Sequence, residues 1–251
     1  MISLELALDR LLYKPSYRRA FVEGRLGALD LAPDDLASLM TVDRLELERA
    51  AARIERDLLN RQHRGCGALR AQYAKTIDAW RRAHATDEDL RRLTGAFLES
   101  DAFEGYREMP SAEASVGLSL EEAFFRFCEA KDIGDAAVRE DEFLTAMAKA
   151  LALSPSPAFH VPEAMRRCAQ GYWAVGRRAG RPRLYAAVKG RLVVGAITPF
   201  VEELLLSRRD EREVARRHGV SEGALAESVE ALRDLGLGRE PEIEQRVLRS
   251  S

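Results

Sequence analysis

The chain has 251 residues, a formal net charge of -2 and 46% hydrophobic side chains, a composition typical of folded globular proteins. The balanced charge excludes an overall electrostatic attraction to nucleic acid or to an anionic membrane, and no apolar run reaches the roughly 20 residues of a membrane-spanning helix. The N-terminal stretch MISLELALDRLLYK has acidic residues and lacks the apolar centre of a secretory signal, so we expect a cytoplasmic protein without a membrane segment.

Helical periodicity dominates the sequence up to residue 153. Pro15 and Pro33 suit the first turn of a helix, and Asp43, with Glu46 three residues later, predicts the start of a long helix. Ser119 is expected to cap the aromatic helix LEEAFFRFCEA. One more helix is predicted from its spaced apolar positions, which are Val138, Phe143, Met147 and Leu151.

The stretch LSPSPAFHVP, residues 153–162, contains three prolines, and a continuous helix cannot pass through it. We therefore place a domain boundary here, between a helical domain of residues 1–153 and a second domain of residues 162–251. The second domain begins with short stretches rich in β-branched and aromatic residues, separated by turn signals such as AGRP. Strands are predicted at residues 172–177, 184–188 and 192–197.

The segment REVARRHGVSEGALAESVEALRDLGL, residues 212–237, predicts two helices that meet at a tight turn at Gly219. Ser221 suits the N-cap of the second helix, and Gly236 suits its C-terminal end. The expected fold is thus mainly α, with a helical N-terminal domain followed by a small α+β winged-helix-like domain.

Charge argues against DNA readout by this second helix. A recognition helix reads bases with Arg, Lys, Asn or Gln close to the phosphates, and acidic residues there oppose binding. The helix carries one base, Arg233, against four acids, which are Glu222, Glu227, Glu230 and Asp234. A protein-binding winged fold is favoured, and a helix-turn-helix transcriptional regulator remains the alternative.

Between Glu163 and Glu202 the sequence contains no acidic residue but eight basic ones. Two interpretations of this basic interval stay open. It is either the solvated surface of a hairpin, or a docking face on which an extended acidic peptide adds as one more strand.

No metal site or catalytic constellation is predicted on this chain. The three cysteines, Cys66, Cys128 and Cys168, form no C-x-x-C pair, and the four histidines match no metal-ligand spacing. His63 and Cys66 are close in sequence, but their Gly-rich surroundings indicate a turn between helices rather than a nucleophile with its base. A stand-alone enzyme is therefore the least favoured class, and we expect no stoichiometric iron or zinc.

Three stretches resemble the partner subunits of multinuclear non-heme iron-dependent oxidases that act on ribosomally made precursor peptides, as in the methanobactin and 3-thiaglutamate pathways. They are residues 73–100, residues 118–129, and the strand-rich segment from Tyr172 with the following residues 212–237. The resemblance implies that a separate TIM-barrel oxidase holds the iron. This chain, without a cofactor of its own, would recruit the peptide and present it to the oxidase.

A shorter N-terminal stretch, LLYKPSYRRAFVEGRLGALDLAPDDLASL, is similar to the small helical subunit of extradiol ring-cleavage dioxygenases. That subunit is also an accessory chain without metal ligands. The partners expected from the first resemblance are a TIM-barrel iron oxidase and a precursor peptide, and the charge and composition lead us to expect no nucleic acid and no membrane.

The resemblance also implies where the peptide binds. In winged leader-binding modules the peptide adds to the edge of the strand layer and lies against a neighbouring helix. The peptide-binding residues expected here are Arg177, Arg183, Tyr185, Lys189, Arg191, Leu225 and Val229.

Overall fold

The computed structural model describes residues 1–60, 67–84, 89–107, 117–154, 157 and 159–237. It confirms a mainly helical chain with a small antiparallel sheet in its C-terminal part. Two compact units are present, Met1–Arg139 with Ala158–His160, and Glu140–Pro157 with Val161–Ser251. The proline-rich segment 153–162 contributes residues to both units. The chain also passes from the first unit to the second inside a helix.

The first unit is built from helices whose starts follow from local sequence. Pro15 and Pro33 occupy first turns, the Asp43 carboxylate accepts hydrogen bonds from the backbone N–H groups of Leu45 and Glu46, and Ser119 caps its helix as expected. The helices are α1 Leu4–Tyr13, α2 Pro15–Val22, α3 Pro33–Leu39, α4 Arg44–Asp57, α5 Leu69–Gln72, α6 Ala74–His84, α7 Asp89–Leu98, α8 Asp101–Arg107 and α9 Leu120–Ala130, with a 3-10 helix at Leu26–Leu29. The next helix, α10 Ala136–Leu153, begins in this unit and continues into the second.

Two apolar clusters hold this unit together. Leu11, Phe21 and Leu39 are fully buried in the N-terminal cluster. The second cluster is aromatic, and edge-to-face contacts join Phe97 to Phe124 with ring centroids 5.1 Å apart. Such pairs add about 0.5–1.5 kcal/mol beyond the burial of their area.

The second unit contains a four-stranded antiparallel meander followed by three helices. The strands are β1 Arg166–Cys168, β2 Gly171–Arg178, β3 Arg181–Val188 and β4 Arg191–Ala196, and the helices are α11 Pro199–Leu206, α12 Glu211–His218 and α13 Glu222–Asp234. The three predicted strands correspond to β2, β3 and β4, whereas β1 was not predicted. Two-residue turns with positive φ at both positions join β2 to β3 and β3 to β4.

The sheet is covered by helices on both faces. On the first face, Trp173, Leu184 and Ala186 pack in one buried cluster with residues of α11, α12 and α13, and we call this the helix-turn-helix face. On the opposite face, a Cβ at Gly176 would come within 2.6 Å of Leu144 of α10 and 3.2 Å of Tyr185. We call this the α10 face. Most of α10 therefore belongs to the sheet unit, and the division of the chain falls near the start of this helix, between Arg139 and Glu140.

The helix-turn-helix geometry of α12 and α13 is as predicted. Gly219 ends α12 with φ +63°, the Val220 N–H donates to the Ala215 carbonyl, and the Ser221 hydroxyl caps α13. Among the described residues, no helix combines the length and the apolar character that crossing a bilayer requires.

Candidate functional site

β4 forms an open edge of the sheet. Its neighbour is β3, and no described residue pairs with its other side. Natural edge strands are protected by Lys, Pro, bulges or a covering element. The stretch from Leu192 to Ala196 carries no charge and no proline, and Leu192 is 42% exposed.

The register shows which backbone groups the edge offers. The Ile197 N–H donates to the Pro182 carbonyl, so Ile197 is a position that bonds toward β3. In an antiparallel pair such positions alternate, which leaves the N–H and C=O groups of the other residues directed away from β3. The outward positions are Leu192, Val194 and Ala196.

Side chains along the edge alternate between the two faces. Val193 lies opposite Ala186 and packs against the cluster of the helix-turn-helix face. Val194 lies opposite Tyr185 on the α10 face. A strand added to β4 would therefore place alternate side chains beside two different helical layers.

A buried polar cluster lies on the α10 face. The fully buried Tyr185 hydroxyl donates to Asp141 Oδ1 at 2.6 Å, and Arg183 donates to the same oxygen at 3.1 Å. Arg178 lies 3.7 Å from the other carboxylate oxygen. Burial of the ring, followed by the hydrogen bond to Asp141, holds the pKa of Tyr185 well above its ordinary value of 10.

Two of the expected peptide-binding residues, Arg183 and Tyr185, thus bind Asp141 within the fold. Asp141 itself was missed, because its pairing with β3 spans about forty residues of sequence. A usable signal was present, since a run of eight basic residues without an acid needs counter-charges from elsewhere. Asp141 and Leu144, three residues apart on α10, also share one helical face.

The other basic residues of the expected set have different surroundings. Arg177 donates to Glu202 of α11 at 2.7 Å, and the Lys189 ammonium donates to the Asp234 carbonyl at the end of α13 at 2.8 Å. Arg191 is exposed, and its side chain forms no hydrogen bond or ion pair with any described residue. Of these three, Arg191 is the one that leaves its full charge available at β4.

Leu225 and Val229 line a separate surface cavity of about 530 Å³. Its other walls come from α12 and α13, and no β4 residue contributes to it. The remaining lining residues are Glu211, Arg212, Glu222, Ala226, Glu230 and Arg233. The structure therefore places the seven expected residues at three locations, the α10 face, the turns and strand ends of the sheet, and this cavity.

A network around Glu203 joins α11 to α12. Its carboxylate accepts hydrogen bonds from Arg217 and from His218, the latter at 2.8 Å, and Arg209 approaches at 3.4 Å. The hydrogen bonds from Arg217 and His218 lower the pKa of Glu203 below its ordinary value of 4.5.

Metal-ligating side chains are scattered in the described parts of the chain. No three His, Cys, Asp or Glu side chains there lie close enough to hold a metal ion. Cys128 is buried and Cys168 is partly buried, and neither forms a disulfide with a described residue. His63 and Cys66 lie outside the described residues.

What the unit offers chemically is an uncharged row of backbone donors and acceptors on β4, between two helical layers and with basic side chains at its ends. This arrangement suits the binding of an extended chain. Comparison of the sequence and structure with protein-family models, with curated proteins and with solved structures finds no match.

Proposed function

We propose that this chain is a non-catalytic partner protein that recruits a ribosomally made precursor peptide by adding it, as an extended strand, to β4. The chain then presents the peptide to a separate multinuclear iron oxidase that modifies it. In this proposal the iron belongs to the oxidase, and this chain contributes binding and positioning.

The open edge of β4 is the observation that carries the peptide-binding part. An uncharged edge with Leu192 exposed is a liability in a protein without a partner for it, because any extended chain can pair with it. An added strand gains affinity from main-chain hydrogen bonds and gains register from side-chain contacts. The rim charges at Arg191 and at the β2–β3 turn would act mainly on association rate and salt dependence.

The oxidase part of the proposal rests on the resemblance of residues 73–100, 118–129 and 212–237 to oxidase partner subunits. The order of elements in the second unit, a β-meander and then three helices, is compatible with a winged peptide-binding module. The cavity beside Leu225 and Val229, lined by residues of α12 and α13, is a second surface that a partner chain can contact.

The decisive variant is Leu192→Pro, with Leu192→Ala as its matched control. Proline removes the outward N–H of residue 192, whereas the bond pattern assigns no β3 bond to that N–H. Alanine removes the same exposed side chain and keeps the donor. Tagged wild-type and variant proteins are purified from the producing organism, and captured peptides and proteins are identified by mass spectrometry.

We expect the wild type and Leu192→Ala to retain a short ribosomal peptide and an iron oxidase. Leu192→Pro should retain the oxidase but bind the synthetic peptide at least tenfold more weakly, which corresponds to about 1.4 kcal/mol. Equal peptide binding by Leu192→Pro, with an unchanged melting temperature, would exclude β4 as the site.

A DNA-binding regulator is the second candidate, because α12, Gly219 and α13 have helix-turn-helix geometry. The exposed side of α13 opposes it, since Glu222, Glu227 and Glu230 are all exposed there. Acidic residues close to a duplex reduce the phosphate term that supplies most DNA affinity.

A further inference from the structure

Four arginines gather where β2 turns into β3. Arg177 and Arg178 end β2, and Arg181 begins β3 directly after the two-residue turn Ala179–Gly180. Arg183 lies two residues further along, opposite Gly176. We call these four residues the arginine corner.

The acidic partners of the arginine corner are less exposed than most of its bases. The Arg177 and Arg178 side chains are 56% and 51% exposed, whereas their partners Glu202 and Asp141 are 16% and 8% exposed. Arg181 is exposed, and its side chain has no hydrogen bond or ion pair with a described residue. Glu140 is an exposed acid close to Gly176, and thus close to Arg183. Solvent therefore meets mainly guanidinium groups.

The β4 edge leads directly to this corner. Ala196, the last residue of β4, lies opposite Arg183. A strand that pairs antiparallel with β4 runs in the direction of β3, so its N-terminal end lies at the arginine corner. Neighbouring strands are about 4.8 Å apart, which places the added strand about 10 Å from β3, a gap that one arginine and one glutamate side chain can bridge together.

We propose that the arginine corner binds acidic residues that lie immediately N-terminal to the strand-forming segment of the peptide on β4. The inference rests on the proposed function and adds to it the chemical class of the peptide and the direction in which it runs along β4. The recognised sequence is a cluster of Asp or Glu followed by a stretch with alternating apolar side chains. Because its charge is not neutralised by an ion pair with a described residue, Arg181 should contribute most to this contact.

An acidic peptide fits this surface better than a nucleic acid does. A peptide satisfies the backbone groups of Leu192, Val194 and Ala196 and the arginine corner at once, whereas a nucleic acid leaves the edge unpaired. The same unit also exposes Glu222, Glu227 and Glu230 on α13, which would repel phosphates.

The test is selection from a random peptide library displayed on phage, with the full-length protein as bait. Wild type is compared with Arg181→Glu and with Arg49→Glu, which makes the same charge change at an exposed arginine of α4, outside the sheet unit. Leu192→Pro reports on the edge itself. Melting temperatures confirm that all variants fold, and a labelled DNA duplex is titrated in parallel.

Wild type should enrich peptides with acidic residues on the N-terminal side of an alternating apolar stretch. Arg181→Glu should lose that acidic bias and keep the alternating stretch, and Arg49→Glu should keep both. An enriched peptide should bind Arg181→Glu about two- to fivefold more weakly at low salt, the range of one exposed ion pair.

Three results distinguish a failure of the arginine-corner proposal from a failure of the proposed function. Enrichment that depends on Leu192 but shows no N-terminal acidic bias overturns the arginine corner and leaves the proposed function intact. Enrichment that Leu192→Pro does not reduce overturns both. Duplex binding that Arg181→Glu abolishes, without any acidic bias among the peptides, assigns the corner to nucleic acid instead.

Discussion

Tyr185 and Asp141 form a hydrogen bond in which one partner is a charged, nearly buried carboxylate. Tyr185→Phe removes the donor and leaves Arg183 as the strongest remaining partner of that oxygen. Hydrogen bonds to charged groups contribute about 1.5–3 kcal/mol, so we expect a loss of stability of that size in urea unfolding. Tyr17→Phe is the matched control, because Tyr17 donates to the neutral Leu29 carbonyl and should lose only about 0.5–1.5 kcal/mol. Equal losses would contradict a special role for Asp141.

Tyr185 also predicts a pH dependence. Its folded pKa is raised above the ordinary value of 10, so the stability it contributes is fully present below pH 10 and is lost as pH rises beyond it. The unfolding free energy of the wild type should therefore fall on alkaline titration more steeply than that of Tyr185→Phe. Parallel curves above pH 10 would show that Tyr185 ionises as freely in the folded as in the unfolded chain.

Gly171 is required by a close approach of two backbones. Its φ is +149°, and a Cβ there would lie 1.9 Å from the Ala187 carbonyl oxygen. Gly171→Ala must separate β2 from β3 locally and should cost about 2 kcal/mol or more. Gly223→Ala is the control, since nothing lies within 4 Å of that position and alanine favours helix, so stability should stay or rise slightly. Thermal unfolding of both variants decides the comparison.

At the scale of elements, Glu203 connects α11 to α12 through Arg217 and His218. Its lowered folded pKa means that the contributed stability is present above about pH 4.5 and is lost as pH falls through the folded value. Glu203→Gln should flatten the acid side of the melting-temperature profile. Glu227→Gln, at an exposed acid without an ion pair to any described residue, should leave the profile unchanged. A profile of Glu203→Gln that follows the wild type would exclude this network as the origin of the acid sensitivity.

The elements themselves were predictable because their signals are local. Asp43, Ser119 and Ser221 cap the helices that they were expected to cap, and Gly219 forms the predicted turn. β1 escaped prediction because its three residues are too short for a period-two pattern, and its pairing with β2 defines it.

The site was less predictable than the elements, because long-range pairing decides which charges remain available. Arg183 and Arg191 look equivalent in the sequence, yet one is bound to Asp141 and the other is free of ion pairs among the described residues. Leu225 and Val229 were expected to contact the peptide, and both line a cavity to which no β4 residue contributes, while Leu225 is also a buried member of the cluster on the helix-turn-helix face.

At the scale of the whole molecule, charge sets the expectation for DNA. A net charge of -2 gives no general attraction to phosphate, and only eight of the 39 basic residues lie in the acid-free interval between Glu163 and Glu202. We expect weak, salt-sensitive and sequence-independent DNA binding in titrations against genomic fragments. Isolation of a single DNA site that binds tightly would instead favour the alternative function, a DNA-binding regulator that uses the helix-turn-helix.

Because the edge of β4 is open, the solubility of the protein should depend on the ratio of this chain to its peptide. A free β4 can template pairing with a second copy or with a partly unfolded chain, and its uncharged stretch offers no gatekeeper residue against such assembly. The peptide would then protect the protein that carries it, by filling the same edge. Cells that make this chain in excess of its peptide should accumulate insoluble material, and co-production of the peptide should return it to the soluble fraction.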